Sequence, residues 1–162
     1  MRNGFLLIGL IIGMALLLTA CGGANSAEPS ADVKAADELA LQYIQASVDG
    51  DDELFRKILS PDEPHYRILE KGKHTFPGRF REIGERYSIY RFEKEPTEQG
   101  TLHYVVMYYL PNHNGNAKDF LEMKKEKGEW RIHEIESEEA ERRVKNPDVG
   151  VYIHKYVKEG ES

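Results

Sequence analysis

Three features of the 162-residue chain predict an α+β fold, with helices first and strands second. Apolar residues recur at helical spacing between Asp32 and Leu59. From Ser88 onward the period switches to two. Helices and strands are therefore segregated along the chain rather than alternating, which predicts N-terminal helices packed on an antiparallel meander.

In chain order, an export segment comes first. Arg2 is followed by an unbroken apolar or glycine run from Phe5 to Leu18, then by small residues on both sides of Cys21. A charged start, an apolar run of roughly 7–15 residues and a small-residue cut site define a secretory signal. The run is shorter than the roughly 20 residues a membrane helix needs. Leu18-Thr19-Ala20-Cys21 resembles the lipobox of bacterial lipoproteins. That resemblance implies cleavage after residue 20, diacylglycerol (palmitate) on the Cys21 thiol, and attachment to the extracytoplasmic face of the cell membrane. Cys21 is the only cysteine, so no internal disulfide can form, and lipidation accounts for an odd exported thiol. Two acyl chains hold stably where one does not.

Cleavage removes 20 of the 162 residues, including a single charge, Arg2, and moves the formal net charge from −6 to −7. The remainder is the size of one domain. Its acidity argues against nucleic acid, whose phosphates require a basic face, and against a polybasic hold on anionic lipid. Residues 21–31 are small and polar, which predicts a flexible tether.

Val33, Ala36, Ala40, Tyr43, Ile44 and Val48 share one face of a helix from Asp32, the expected cap, to Val48, with Gly50 ending it. A second helix is predicted from about Asp52 to Leu59, closed by Ser60-Pro61. Residues 62–75 have no assignable pattern. Phe76, Phe80, Ile83 and Tyr87 recur at helical spacing and predict a short third helix ending near Gly84.

Strands are predicted at Ser88–Glu95, Leu102–Leu110, Asp119–Lys125 and Glu129–Glu136. Pro96–Gly100, Pro111–Gly115 and Lys127-Gly128 form the connections. Leu102–Leu110 is apolar on both faces, as a central strand is. Residues 137–162 form an extension. Ser137–Lys145 carries three i,i+4 acid-to-base pairs and predicts a solvated helix. Val149, Tyr152, Ile153, Tyr156 and Val157 fit a short amphipathic helix first, although Val151 and Ile153 also permit a strand. Such a tail covers an open sheet edge or the mouth of the fold.

A long helix, a Gly-Asp joint, a short helix ending in Ser-Pro, a further helical turn and a meander resemble the NTF2-like (cystatin-like) superfamily. The residues that carry the resemblance are Val48–Glu63 and the last strand, Lys127–Ile135, with Gly128, Trp130, Ile132 and Ile135 in their expected places. The resemblance covers residues 32–136. It implies a curved sheet wrapped around the long helix, leaving a cone that is either a packed core or a pocket. Enzymes of the superfamily place an Asp, a His or both inside it as general acid/base.

Six histidines are present, without HxH or HExxH spacing, so the local sequence indicates no metal site and no cofactor. His103 and His133 lie on predicted strands, where an imidazole with Glu134 or Glu136 nearby can shuttle a proton. Alternation nevertheless puts His133 with Arg131, opposite Trp130 and Ile132, on the solvated side. Tyr90, Tyr104 and Tyr108, with His103 and His133, are the candidate lining of a ligand pocket; half-buried strands use the same residue types for packing. Arg79, Arg81, Arg86 and Arg91 interleave with acids and read as a mixed solvated face. No catalytic residue is assigned. The expectation is a non-catalytic module that binds an envelope protein or a small ligand. The alternative is a small enzyme using a His/Glu acid–base pair in the cone.

Overall fold

The computed structural model describes residues 29–93, 100–136, 138–140 and 150–157. The fold is α+β. Helices α1 (Ala31–Asp49), α2 (Asp52–Ile58) and α3 (Arg79–Ile83) precede strands β1 (Tyr87–Phe92), β2 (Thr101–Leu110), β3 (Gly115–Glu126), β4 (Glu129–Ile135) and β5 (Gly150–His154). The strands form one antiparallel sheet in the order β4-β3-β2-β1-β5. No described helix is long and apolar enough to cross a membrane. The export segment, Cys21 and residues 22–28 lie outside the described residues.

The predicted stripe of α1 is its buried face: Ala36, Ala40, Tyr43, Ile44 and Val48 are all buried. The cap is Ser30 rather than Asp32; the Ser30 hydroxyl accepts from the Val33 N–H at 3.3 Å. Gly50 ends the helix at φ 60°, a left-handed conformation that glycine adopts without strain. Asp51 then starts α2, its Oδ1 accepting from the Leu54 N–H at 2.9 Å. Residues 62–75, which had no sequence pattern, contain one 3-10 turn at His65–Ile68. The third helix begins three residues later than Phe76, after Gly78 at φ 86°. Asp49 fixes this region: its Oδ1 accepts from the Phe80 N–H at 2.6 Å and its carbonyl from the Phe76 N–H at 2.7 Å.

The meander follows the expected order with shifted ends. β1 ends at Phe92, and residues 94–99, which include most of the predicted turn, lie outside the described residues. β3 begins at Gly115, four residues before the predicted start, because Gly115–Lys118 pair with Met107–Leu110. The composition of that stretch resembles a loop, and cross-strand pairing overrides it. Lys127 and Gly128, at φ 53° and 89°, make the two-residue turn into β4.

The tail departs most from expectation. Its first reading is an amphipathic helix, yet Gly150–His154 is a strand paired with β1. The free edge of β1 offers unpaired N–H and C=O groups along its length, and a strand satisfies them where a helix cannot. Gly150 admits this pairing, since a Cβ there would sit 2.3 Å from the Arg91 carbonyl oxygen and 2.5 Å from the Tyr90 ring. Of the predicted charged helix, residues 138–140 are helical, and the rest lies outside the described residues.

Candidate functional site

Strand alternation and register sort the sheet into two faces. On one face the rows are Arg91·Tyr104·Leu121·Glu134, Ile89·Val106·Asp119 and Leu102·Met123·Ile132. Most of their apolar members join Ala40, Tyr43 and Ile44 of α1 in one hydrophobic cluster, so this is the inner face. On the outer face the rows are Ser88·Met107·Lys118, Tyr152·Tyr90·Val105·Phe120·Ile135 and His103·Glu122·His133.

The inner face is mostly filled. Tyr104, Ile44, Leu121, Met123 and Ile132 are fully buried. Arg91, expected on a solvated face, is 4 % exposed. Its guanidinium donates to both Asp37 oxygens, at 2.6 and 2.5 Å, and to Glu93 at 2.9 Å; the Tyr104 hydroxyl also donates to Asp37, at 2.8 Å. The signal for Arg91 was its alternation with Ile89, which faces the core. A charged residue in that phase needs a buried partner.

A second polar cluster borders a pocket of about 300 Å³ lined by Tyr43, Lys118, Asp119, Phe120, Glu134 and Ile135. The Tyr43 hydroxyl donates to Glu134 Oε1 at 2.8 Å, and the Tyr108 hydroxyl to Asp119 Oδ2 at 2.6 Å. His65 Nδ1 meets the same Glu134 oxygen at 3.2 Å and is the donor, since a carboxylate accepts only. Burial pushes the Asp119 carboxyl up; the Tyr108 bond pulls it down, nearby Glu134 adds to the rise, and the net shift is upward. Burial also pushes Glu134 up, but the bonds from His65 and Tyr43 outweigh it and hold the carboxyl below its ordinary range. The bond to Glu134 raises His65. The two carboxylates are thus driven apart, which is how acid–base pairs are made.

Sequence reasoning missed most of this cluster. His65 lies in the patternless stretch. Tyr43 reads as part of an apolar stripe. Asp119 sits at the predicted start of β3, where alternation is too short to read. Only Glu134 carried a signal, because it alternates with Ile132 and Trp130.

The five candidate lining residues do not share one pocket. Tyr104 and Tyr108 point inward, where Tyr104 is core and Tyr108 holds Asp119. Tyr90, His103 and His133 lie on the outer face. His103 is buried there: Nε2 meets Glu122 Oε1 at 3.3 Å, and Nδ1 has no hydrogen-bond partner among the described residues. His133 is half-buried between two carboxylates, with Nδ1 2.9 Å from Glu63 and Nε2 3.0 Å from Glu126. Neither histidine reaches the pocket between Tyr43 and Glu134.

Tyr90 lines an outer-face opening of about 150 Å³ with Phe92, Val105, Met107, Lys118 and Tyr152. A larger opening of about 500 Å³ adjoins it and shares Met107 and Lys118. Arg86, Ser88, Tyr109 and Tyr156 bound this second space. Among the described residues, no group of three or more His, Cys, Asp or Glu side chains is placed to hold a metal ion. Comparison with family models, with curated proteins and with solved structures finds no match to this chain.

Proposed function

We propose that the protein is a lipoprotein held on the extracytoplasmic face of the cell membrane by diacylglycerol on Cys21. Its domain is an NTF2-like fold that acts as a non-catalytic binding module for an envelope protein or a small ligand. The lipobox and the export segment support the anchor. The helix-first order and the five-stranded antiparallel sheet support the fold. One observation carries the binding reading. The inner face is packed with Tyr104, Leu121, Met123 and Ile132, and the carboxylates beside it already accept hydrogen bonds from within the protein. The opening of about 500 Å³ lies elsewhere, bounded by Ser88, Met107 and Lys118 of the outer face.

Radiolabelled palmitate enters the wild-type chain and not Cys21→Ala, and surface protease on intact cells removes the labelled domain. Label retained by the variant contradicts the anchor.

The second reading is a small NTF2-like enzyme. The raised Asp119 beside the His65–Glu134 pair, on a pocket of about 300 Å³, favours it. The histidine joined to that pocket's lining is His65, through its bond to Glu134, and not His103 or His133. On this reading Asp119→Asn removes the activity, whereas on the binding reading it leaves ligand affinity unchanged.

A further inference from the structure

The outer face carries three cations, each seated over an aromatic ring. Arg86 Cζ lies 4.2 Å from the Tyr109 centroid, Lys118 Nζ 4.9 Å from Phe120, and Lys155 Nζ 5.1 Å from Tyr152. Among the described residues, none of the three forms an ion pair with a carboxylate. This is unusual company in a chain of net charge −6, where acids are available to pair with every base. Their positions are also ordered. Arg86 and Lys118 bound the 500 Å³ opening, and Lys118 and Tyr152 bound the adjoining one of 150 Å³. The floor they share is Met107, which sits between Ser88 and Lys118 in one cross-strand row. Tyr90 and Tyr152 stand edge to face beside it, with centroids 4.9 Å apart.

We infer that these joined openings form a groove for an acidic carbohydrate. The inference rests on the binding reading above and names its ligand class; it does not depend on lipidation. A ring over a cation fixes the charge without neutralising it, so the ammonium or guanidinium keeps donors for an incoming anion. The floor is apolar and lies between aromatic walls, so the ligand must present a C–H face. The rim holds the exposed amide of Asn116 and the exposed Tyr156, which suit hydroxyls. A pyranose ring bearing a carboxylate or phosphate meets all three demands. A bare acyl chain meets only the demand of the apolar floor, and a neutral sugar leaves the cations unused. Tyr156 belongs to the site because its backbone N–H donates to the Ser88 hydroxyl at 3.0 Å, which ties the chain end to the groove.

The test is a binding titration of the full chain in detergent micelles. The panel is oligogalacturonate, a sialylated oligosaccharide and poly(glycerol phosphate) bearing sugars, with neutral maltotetraose and polyglutamate as contrasts. At least one acidic sugar is expected to bind, maltotetraose at least tenfold more weakly. Arg86→Ala/Lys118→Ala lowers the affinity at least tenfold, with the thermal midpoint lowered by only a few degrees, since two ring contacts and the Arg86 Nε–H bond to the Ile83 carbonyl are lost. Lys71→Ala, on an exposed turn, does not. Added salt weakens binding, since the contacts are at the surface. Binding of polyglutamate but of no acidic sugar overturns the ligand class and leaves the module reading standing. Binding of nothing on the panel by a folded chain overturns the groove, and palmitate labelling still decides the anchor on its own. Acidic-sugar binding that survives the double substitution places the ligand elsewhere and also overturns the groove.

Discussion

The inner face of the sheet and the part of the outer face around its openings are built on opposite rules. On the inner face charged and polar groups are buried and matched: Arg91 with Asp37, Tyr108 with Asp119, Tyr43 and His65 with Glu134. Around the outer-face openings, aromatic rings and cations stand together, and among the described residues no carboxylate forms an ion pair with those cations. Buried pairs cost a great deal to break and add little net stability to form. Exposed cations on rings add about 0.5–1 kcal/mol each and remain open to a partner. The comparison teaches that polarity on the inner face fixes the geometry of the frame, whereas the cations beside the outer-face openings are available for contact.

Breaking the inner network is expected to have the largest effect. Arg91→Leu strips the largely enclosed Asp37 carboxylate of its guanidinium partner, and urea unfolding should show a loss of about 3–5 kcal/mol. Gly150→Val comes next. Its side chain would overlap the Arg91 carbonyl and the Tyr90 ring, so β5 must leave the β1 edge. Amide exchange in residues 150–157 should accelerate markedly, with a stability loss of about 1–3 kcal/mol. Unchanged protection there would show that β5 is not held as described. Tyr43→Phe removes one donor from Glu134 and should cost about 1 kcal/mol.

The smallest effect sharpens the acid cluster. His65 is raised above 6.5 by its bond to Glu134, and Glu134 is held below 4.5 by the bonds from His65 and Tyr43. For a raised histidine, the stabilisation is complete below its unfolded value and is lost as pH rises through its folded value. For a depressed carboxyl, it is present above the unfolded value and is lost as pH falls through the folded one. The pair therefore contributes most between those two limits. NMR titration of His65 should return a value above 6.5 in the wild type and a lower one in Glu134→Gln. Equal values would remove the pair.

How much was legible in the chain follows from the same physics. The stripe Ala36–Val48 was readable because helical burial leaves a periodic trace over many residues. The order of β1 to β4 was readable because turn residues bracket each strand. β5 was not, because five residues fit both periods and only the neighbouring edge decides between them. Asp119 and His65 were not, because each is polar, isolated and made meaningful by a partner far away in sequence. Arg91 was readable in principle from its phase with Ile89, but its neighbours Glu93 and Arg86 suggested a solvated surface. Sequence periodicity reports which side of an element is buried and is silent on which distant side chain completes a polar pair.

The division between the faces is tested most directly by thermal unfolding of Arg91→Leu beside Arg86→Ala/Lys118→Ala. The inner substitution should lower the midpoint by on the order of 10 °C, and the outer pair should lower it by only a few degrees. Equal losses in both, or a larger loss from the outer pair, would contradict the account.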